Sequence, residues 1–195
     1  MITTRRTLAR GAAWAAPAVL ATVAVPAYAA SSTLPEETYD TVALNQAIQG
    51  TMNIQANCRA YPTTLSIQGD SKASQPLYVA GAKSTSLISE TSYTLYVANR
   101  IPVSGWKAIG ADSGWTVPVR DTTAPQKRGF TAYTTTYTAN NWVYDAATGR
   151  HTIATVPNFT ALTDFCASGN QIYGVRKATV DGIIYSREVG PVTLR

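Results

Sequence analysis

From about residue 50 onward, short runs rich in threonine, valine, isoleucine and tyrosine alternate with punctuation by glycine, proline, asparagine and aspartate. Successive side chains on a strand point to opposite faces, so runs of this kind read as many short strands and the punctuation as turns. The pattern predicts strands near 50–58, 63–68, 76–80, 93–98, 115–119, 129–138, 141–145, 150–156, 171–179 and 183–194. Long helical periodicity is missing, and only 40–48 and 161–167 are compatible with short helices. The expected fold class is all-β.

Two hairpins stand out. Trp142 to Tyr144, then Asp145-Ala146-Ala147-Thr148-Gly149, then Arg150 to Val156 reads as strand, type I turn closed by a left-handed glycine, and returning strand. Asp181-Gly182 between Val180 and Ile183 is the strongest short hairpin signal in the chain. A strict two-residue loop there sets Arg176 opposite Arg187, a like-charge pair that is unfavourable unless both face solvent, so the register stays open.

This last quarter carries a resemblance. Ile172-Tyr173-Gly174-Val175-Arg176, the Asp181-Gly182 turn, Tyr185-Ser186 and Gly190-Pro191-Val192-Thr193-Leu194 resemble the closing hairpin of fibronectin type III and related immunoglobulin-like domains. The likeness covers about 25 residues and implies an antiparallel immunoglobulin-like β-sandwich, although a mature chain this long exceeds the ~100 residues of one such module. The alternatives are one enlarged sandwich over 49–195, with Asp121 to Lys127 as a long crossing loop, or two small modules joined there; the first is preferred.

The N-terminal pattern is different in kind. Arg5, Arg6 and Arg10 precede an uncharged, alanine-rich run from Gly11 to Val25, interrupted by Pro17, ended by Pro26 and followed by Ala27-Tyr28-Ala29. A basic start, an apolar stretch and small residues before a cut are the parts of a secretory signal, here expected to span 1–29, with a weakly ordered or extended lead-in at 30–48. Thr4-Arg5-Arg6-Thr7-Leu8-Ala9-Arg10 resembles the twin-arginine (Tat) export motif, with Leu8 in the usual phenylalanine place and Arg10 in that of the lysine. The alanine-rich character is similar to that of actinobacterial exported proteins. The resemblance implies an export receptor as partner through Arg5, Arg6 and Leu8, cleavage after Ala29 guided by Ala27 and Ala29, and no permanent membrane span afterwards.

Charge then changes meaning. The whole chain has 16 basic and 11 acidic residues, a net +5, but the three arginines of the signal leave only +2 for the mature part. Without a basic stripe, no nucleic-acid partner is expected. Cys58 and Cys166 are the only cysteines, and in an oxidising compartment an isolated pair is expected to form a disulfide; two buried free thiols are the alternative. Two cysteines and one histidine supply too few ligands for zinc, so neither a metal nor a cofactor is expected.

The catalytic inventory is thin. His151, the single histidine, starts a strand with no GxSxG elbow in the chain, and reads as a surface strand residue. The acids are scattered singly apart from Glu36-Glu37. Aromatics are the better candidates for ligand contact: Trp106, Trp115 and Trp142 with Tyr133 and Tyr137, the two tyrosines sharing one face of FTAYTTTYT. Ser104-Gly105-Trp106 recurs as Ser113-Gly114-Trp115, which places the two tryptophans on neighbouring strands if both are strand residues. These rings either fill the core or stack on a ligand such as a glycan. The expectation is an exported, cell-surface or secreted, non-enzymatic binding or structural protein with a cell-surface protein or glycan as partner. A carbohydrate-binding module or carbohydrate-active hydrolase is the alternative.

Overall fold

The computed structural model describes residues 48–59, 61–69, 75–110 and 114–195. The signal segment, its Arg5, Arg6, Leu8, Ala27 and Ala29, the lead-in and the body of the helix expected at 40–48 lie outside the described residues. Among the described residues there is no helix.

The described residues form thirteen strands, in order β1 (Ile48–Thr51), β2 (Asn53–Asn57), β3 (Thr63–Gln68), β4 (Gln75–Ala80), β5 (Ile88–Ala98), β6 (Val103–Ala108), β7 (Val119–Arg120), β8 (Phe130–Thr136), β9 (Val143–Asp145), β10 (Arg150–Thr152), β11 (Asn158–Thr163), β12 (Gln171–Val180) and β13 (Ile183–Thr193). They form three antiparallel sheets, ordered β2-β3-β11-β6, β13-β12-β5-β8-β7 and β1-β4-β10-β9. In an immunoglobulin-like sandwich one sheet runs A-B-E-D and the other contains C, F and G. Here β2, β3, β11 and β6 take the first set of places, and β5, β12 and β13 the second. The fold is all-β and immunoglobulin-like, enlarged by the β1-β4-β10-β9 sheet.

Strands from both halves of the chain share sheets: β3 pairs with β11 and β5 with β12. The described residues therefore form one unit rather than two modules. Asp121 to Lys127 is neither a linker nor a crossing between sheets, since β7 and β8, which it separates, are paired neighbours. It folds back over the outer face of the five-stranded sheet, where the Tyr96 hydroxyl donates to the Pro125 carbonyl at 2.9 Å. Tyr96, Ala124 and Ala132 form a small second core there, flanked by Phe130, Tyr173 and Val175. That cover explains why β5 is buried on both faces from Tyr93 to Ala98.

The inner faces follow the two-residue period. Leu65 and Ile67 of β3 lie beside Ala161 and Phe159 of β11, and Tyr93, Leu95 and Val97 of β5 form the opposing layer with Ile172 of β12. The helix expected at 161–167 is corrected by β11. In Asn158–Thr163 the buried positions are Phe159, Ala161 and Thr163, while Leu162 points outward, so small and polar residues occupy the inner face and hide the strand signal.

Both hairpins form. Gly149, at φ 64, donates to the Asp145 carbonyl and closes the β9–β10 turn. Asp181 (φ 50) and Gly182 (φ 84) both take positive φ, as a type I′ turn requires, and Val180 faces Ile183. The Asp181 side chain also accepts from the Leu87 N–H at 2.8 Å.

Candidate functional site

Cys58 follows β2 and Cys166 follows β11, strands that flank β3 in one sheet. Thr63 faces Thr163 across β3–β11, so the loop before β3 and the loop after β11 emerge at the same end. There the two cysteines are joined by a disulfide, with a Cα separation of 5.0 Å.

The five candidate aromatics divide. Trp115 and Tyr137 are 5% and 4% exposed and face each other through an isolated bridge, with ring centroids 5.1 Å apart. Trp115 Nε1 donates to the Thr155 carbonyl and the Tyr137 hydroxyl to Asn141 Oδ1. Neither ring offers a face to a ligand. Tyr133 and Trp106 are half-buried, 5.9 Å apart and tilted at 57°, and they join the two sandwich sheets, with the Tyr133 hydroxyl donating to the Val103 carbonyl. Trp142 is half-buried beside β9, and its indole N–H, like that of Trp106, is buried with no hydrogen-bond partner. The repeated Ser-Gly-Trp does not put its tryptophans on neighbouring strands: Trp106 lies on β6 beside β11, whereas Trp115 pairs with Tyr137 beyond β8.

His151 is buried, not a surface strand residue as its position suggests. It is 4% exposed, packs against Tyr144 at 4.9 Å, and its Nε2 meets the Lys83 carbonyl at 2.7 Å. Five of the six described carboxylates are similarly engaged. Asp121 accepts from the Thr123 N–H and hydroxyl, the Ala124 N–H and the Thr134 hydroxyl. Burial pushes the Asp121 carboxyl upward, but these bonds outweigh it and hold the group below the usual carboxylate range. Asp145 accepts from Ala147 and Thr148 within its own turn, and that bonding keeps it low as well. Glu90 accepts from the Thr179 hydroxyl, and Glu188 pairs with Lys127 at 2.9 Å. Among the described residues no group of three or more histidine, cysteine or acidic side chains is placed to hold a metal.

The most unusual polar environment is one that pattern reading flagged only as a conflict. The β12–β13 register does set Arg176 opposite Arg187, and Arg176 also faces Tyr93 of β5. Directly opposed residues share a sheet face, and this one is the interior: Arg176 is only 6% exposed. Burial pushes its guanidinium below its ordinary value, and Arg187 pushes the same way, while Tyr93 and Tyr78 act in the opposite sense. Burial likewise raises the Tyr93 phenol to about 12. Arg176 Nε is buried without a hydrogen-bond partner. Beside it is a cavity of about 240 Å³ lined by Tyr93, Gly174 and Arg176 together with Met52, Ile54 and Val192, among others.

With this geometry in view, comparison with known protein families, curated proteins and solved structures finds no match to the chain.

Proposed function

We propose that this chain is an exported, non-enzymatic binding or structural protein that works at the cell surface or outside the cell after Tat-type export and cleavage near Ala29. The Cys58–Cys166 disulfide carries the reading, because such bonds persist in oxidising, extracytoplasmic compartments and are rare where thiols are kept reduced. The use of the acids supports the non-enzymatic part. Of the six described carboxylates, Glu90, Asp121, Asp145, Asp181 and Glu188 hold loops, turns or strands in place. A general acid or base needs a carboxyl free to exchange protons with a substrate.

Replacing Arg5 and Arg6 with lysine keeps the charge but removes the guanidinium forks. The expected outcome is uncleaved precursor retained inside the cell, followed by immunoblot of cell and medium fractions. Normal export of that double variant would sink the Tat reading. Hydrolysis of a cell-wall polymer by the purified mature chain would sink the non-enzymatic one.

A further inference from the structure

A guanidinium keeps its proton under all ordinary protein conditions, so burial cannot neutralise Arg176 as it would a lysine. A buried charge is tolerated when a counter-charge and hydrogen bonds compensate it. None of the described residues lining the cavity beside Arg176 is acidic, and the residue directly opposite it on β13 is Arg187, of the same sign. The missing partner is therefore an anion. The rest of the described wall narrows its chemistry: Met52, Ile54, Ile172, Val189 and Val192 are apolar, Gly174 contributes no side chain, and Asn53 and Tyr93 add neutral polar groups. At about 240 Å³ the cavity falls just below the ~300–1,000 Å³ range of ligand pockets, which restricts its occupant to a small molecule.

We propose that this cavity binds a small aliphatic carboxylate, which pairs with the Arg176 guanidinium while its hydrocarbon tail packs against Met52, Ile54, Val189 and Val192. The pairing of one buried cation with an apolar wall selects against inorganic anions, which cannot use the wall, and against neutral alcohols, which leave the cation uncompensated. This site is independent of the route by which the chain is exported and of any macromolecular partner.

The probe is hexanoate, titrated into the isotopically labelled mature protein and followed by backbone amide shifts, with hexanol as the uncharged control. Hexanoate is expected to shift amides at 52–54, 172–176 and 189–192 and to raise the melting temperature; hexanol is expected to do neither. Arg176→Met is expected to fold at least as well as the parent, because it removes an uncompensated buried charge, and to bind hexanoate at least about tenfold more weakly, the scale of one lost charge-assisted hydrogen bond. Val192→Phe, at a partly exposed position, is expected to fill the cavity and abolish the response with Arg176 intact, so the conclusion survives a misfolded Arg176→Met. Equal shifts from hexanol, undiminished binding by Arg176→Met, or no hexanoate response in the parent would each overturn the proposal. So would a response that arises only when Glu36, Glu37 and Asp40 are neutralised, since the carboxylate would then come from the chain itself.

Discussion

Replacing Cys58 and Cys166 together by serine removes a covalent closure between residues 108 apart in sequence. In the chain-entropy model a loop of that size restricts the unfolded ensemble by about 4.8 kcal/mol at room temperature. Little should be lost in the folded state. The same end of the sheet is already fixed by β3–β11 pairing, with the Thr63 hydroxyl donating to the Thr163 carbonyl and the Thr163 hydroxyl to Thr63 Oγ1. The double variant is thus expected to keep the native strand signature in circular dichroism and to lose most of the 4.8 kcal/mol in urea denaturation. With an m-value of about 2 kcal/mol/M, the midpoint falls by about 2.4 M. A loss below about 1 kcal/mol would refute the entropic account, and loss of the folded state under native conditions would show that the bridge, rather than the two sheets, holds the domain together.

Two further substitutions probe how the interior was assembled. Asp121→Ala removes the acceptor for two backbone N–H groups and two hydroxyls, and it is expected to cost about 2 kcal/mol in denaturant titration. Because the folded Asp121 pKa is depressed, its contribution is complete above the unfolded value near 3.9 and disappears as pH falls through the lower folded value. The variant should lose that part of the parent's acid dependence, and identical profiles would remove Asp121 from the account. Gly174→Ala brings a Cβ against the Tyr93 hydroxyl and within 2.8 Å of its ring carbon Cζ, so it should cost about 1–3 kcal/mol. Tyr93→Phe should recover part of that cost in the double variant, and simple additivity in the double-mutant cycle would contradict a direct clash.

The strands that could be read from sequence were those whose buried face is made of branched or aromatic residues. Thr63–Gln68, with Leu65 and Ile67 inward, and Gln75–Ala80, with Leu77 and Val79 inward, follow that rule. The two strands missed break it in different ways. Val103–Ala108 carries Gly105 at φ 60 in mid-strand and has no alternating burial, so it resembles a loop in sequence and becomes a strand only by pairing with β11. β11 conceals itself by placing Ala161 and Thr163 inside and Leu162 outside. Tertiary pairing supplies what local pattern lacks in both cases, because β-propensity largely reports the fit of a side chain to its cross-strand neighbours.

The aromatic candidates and the arginine pair show why a site is harder to read than a strand. Spacing places Tyr133 and Tyr137 on one face of the strand predicted at 129–138, but whether Tyr133 is wet depends on β6, which brings Trp106 over it from the opposing sheet. The Asp181–Gly182 turn, by contrast, sets the register of its hairpin locally and so opposes Arg176 to Arg187. Pattern alone admits that pair only if both side chains face solvent. The structure keeps the register and buries Arg176 against Tyr93, whose hydroxyl occupies the room that Gly174 leaves. A two-residue turn cannot shift by one position without moving every β13 side chain to the other face. The hairpin therefore keeps the like-charge contact, and a buried guanidinium with an unpaired Nε is left where a local rule and a global one disagree, which is where functional sites are expected to concentrate.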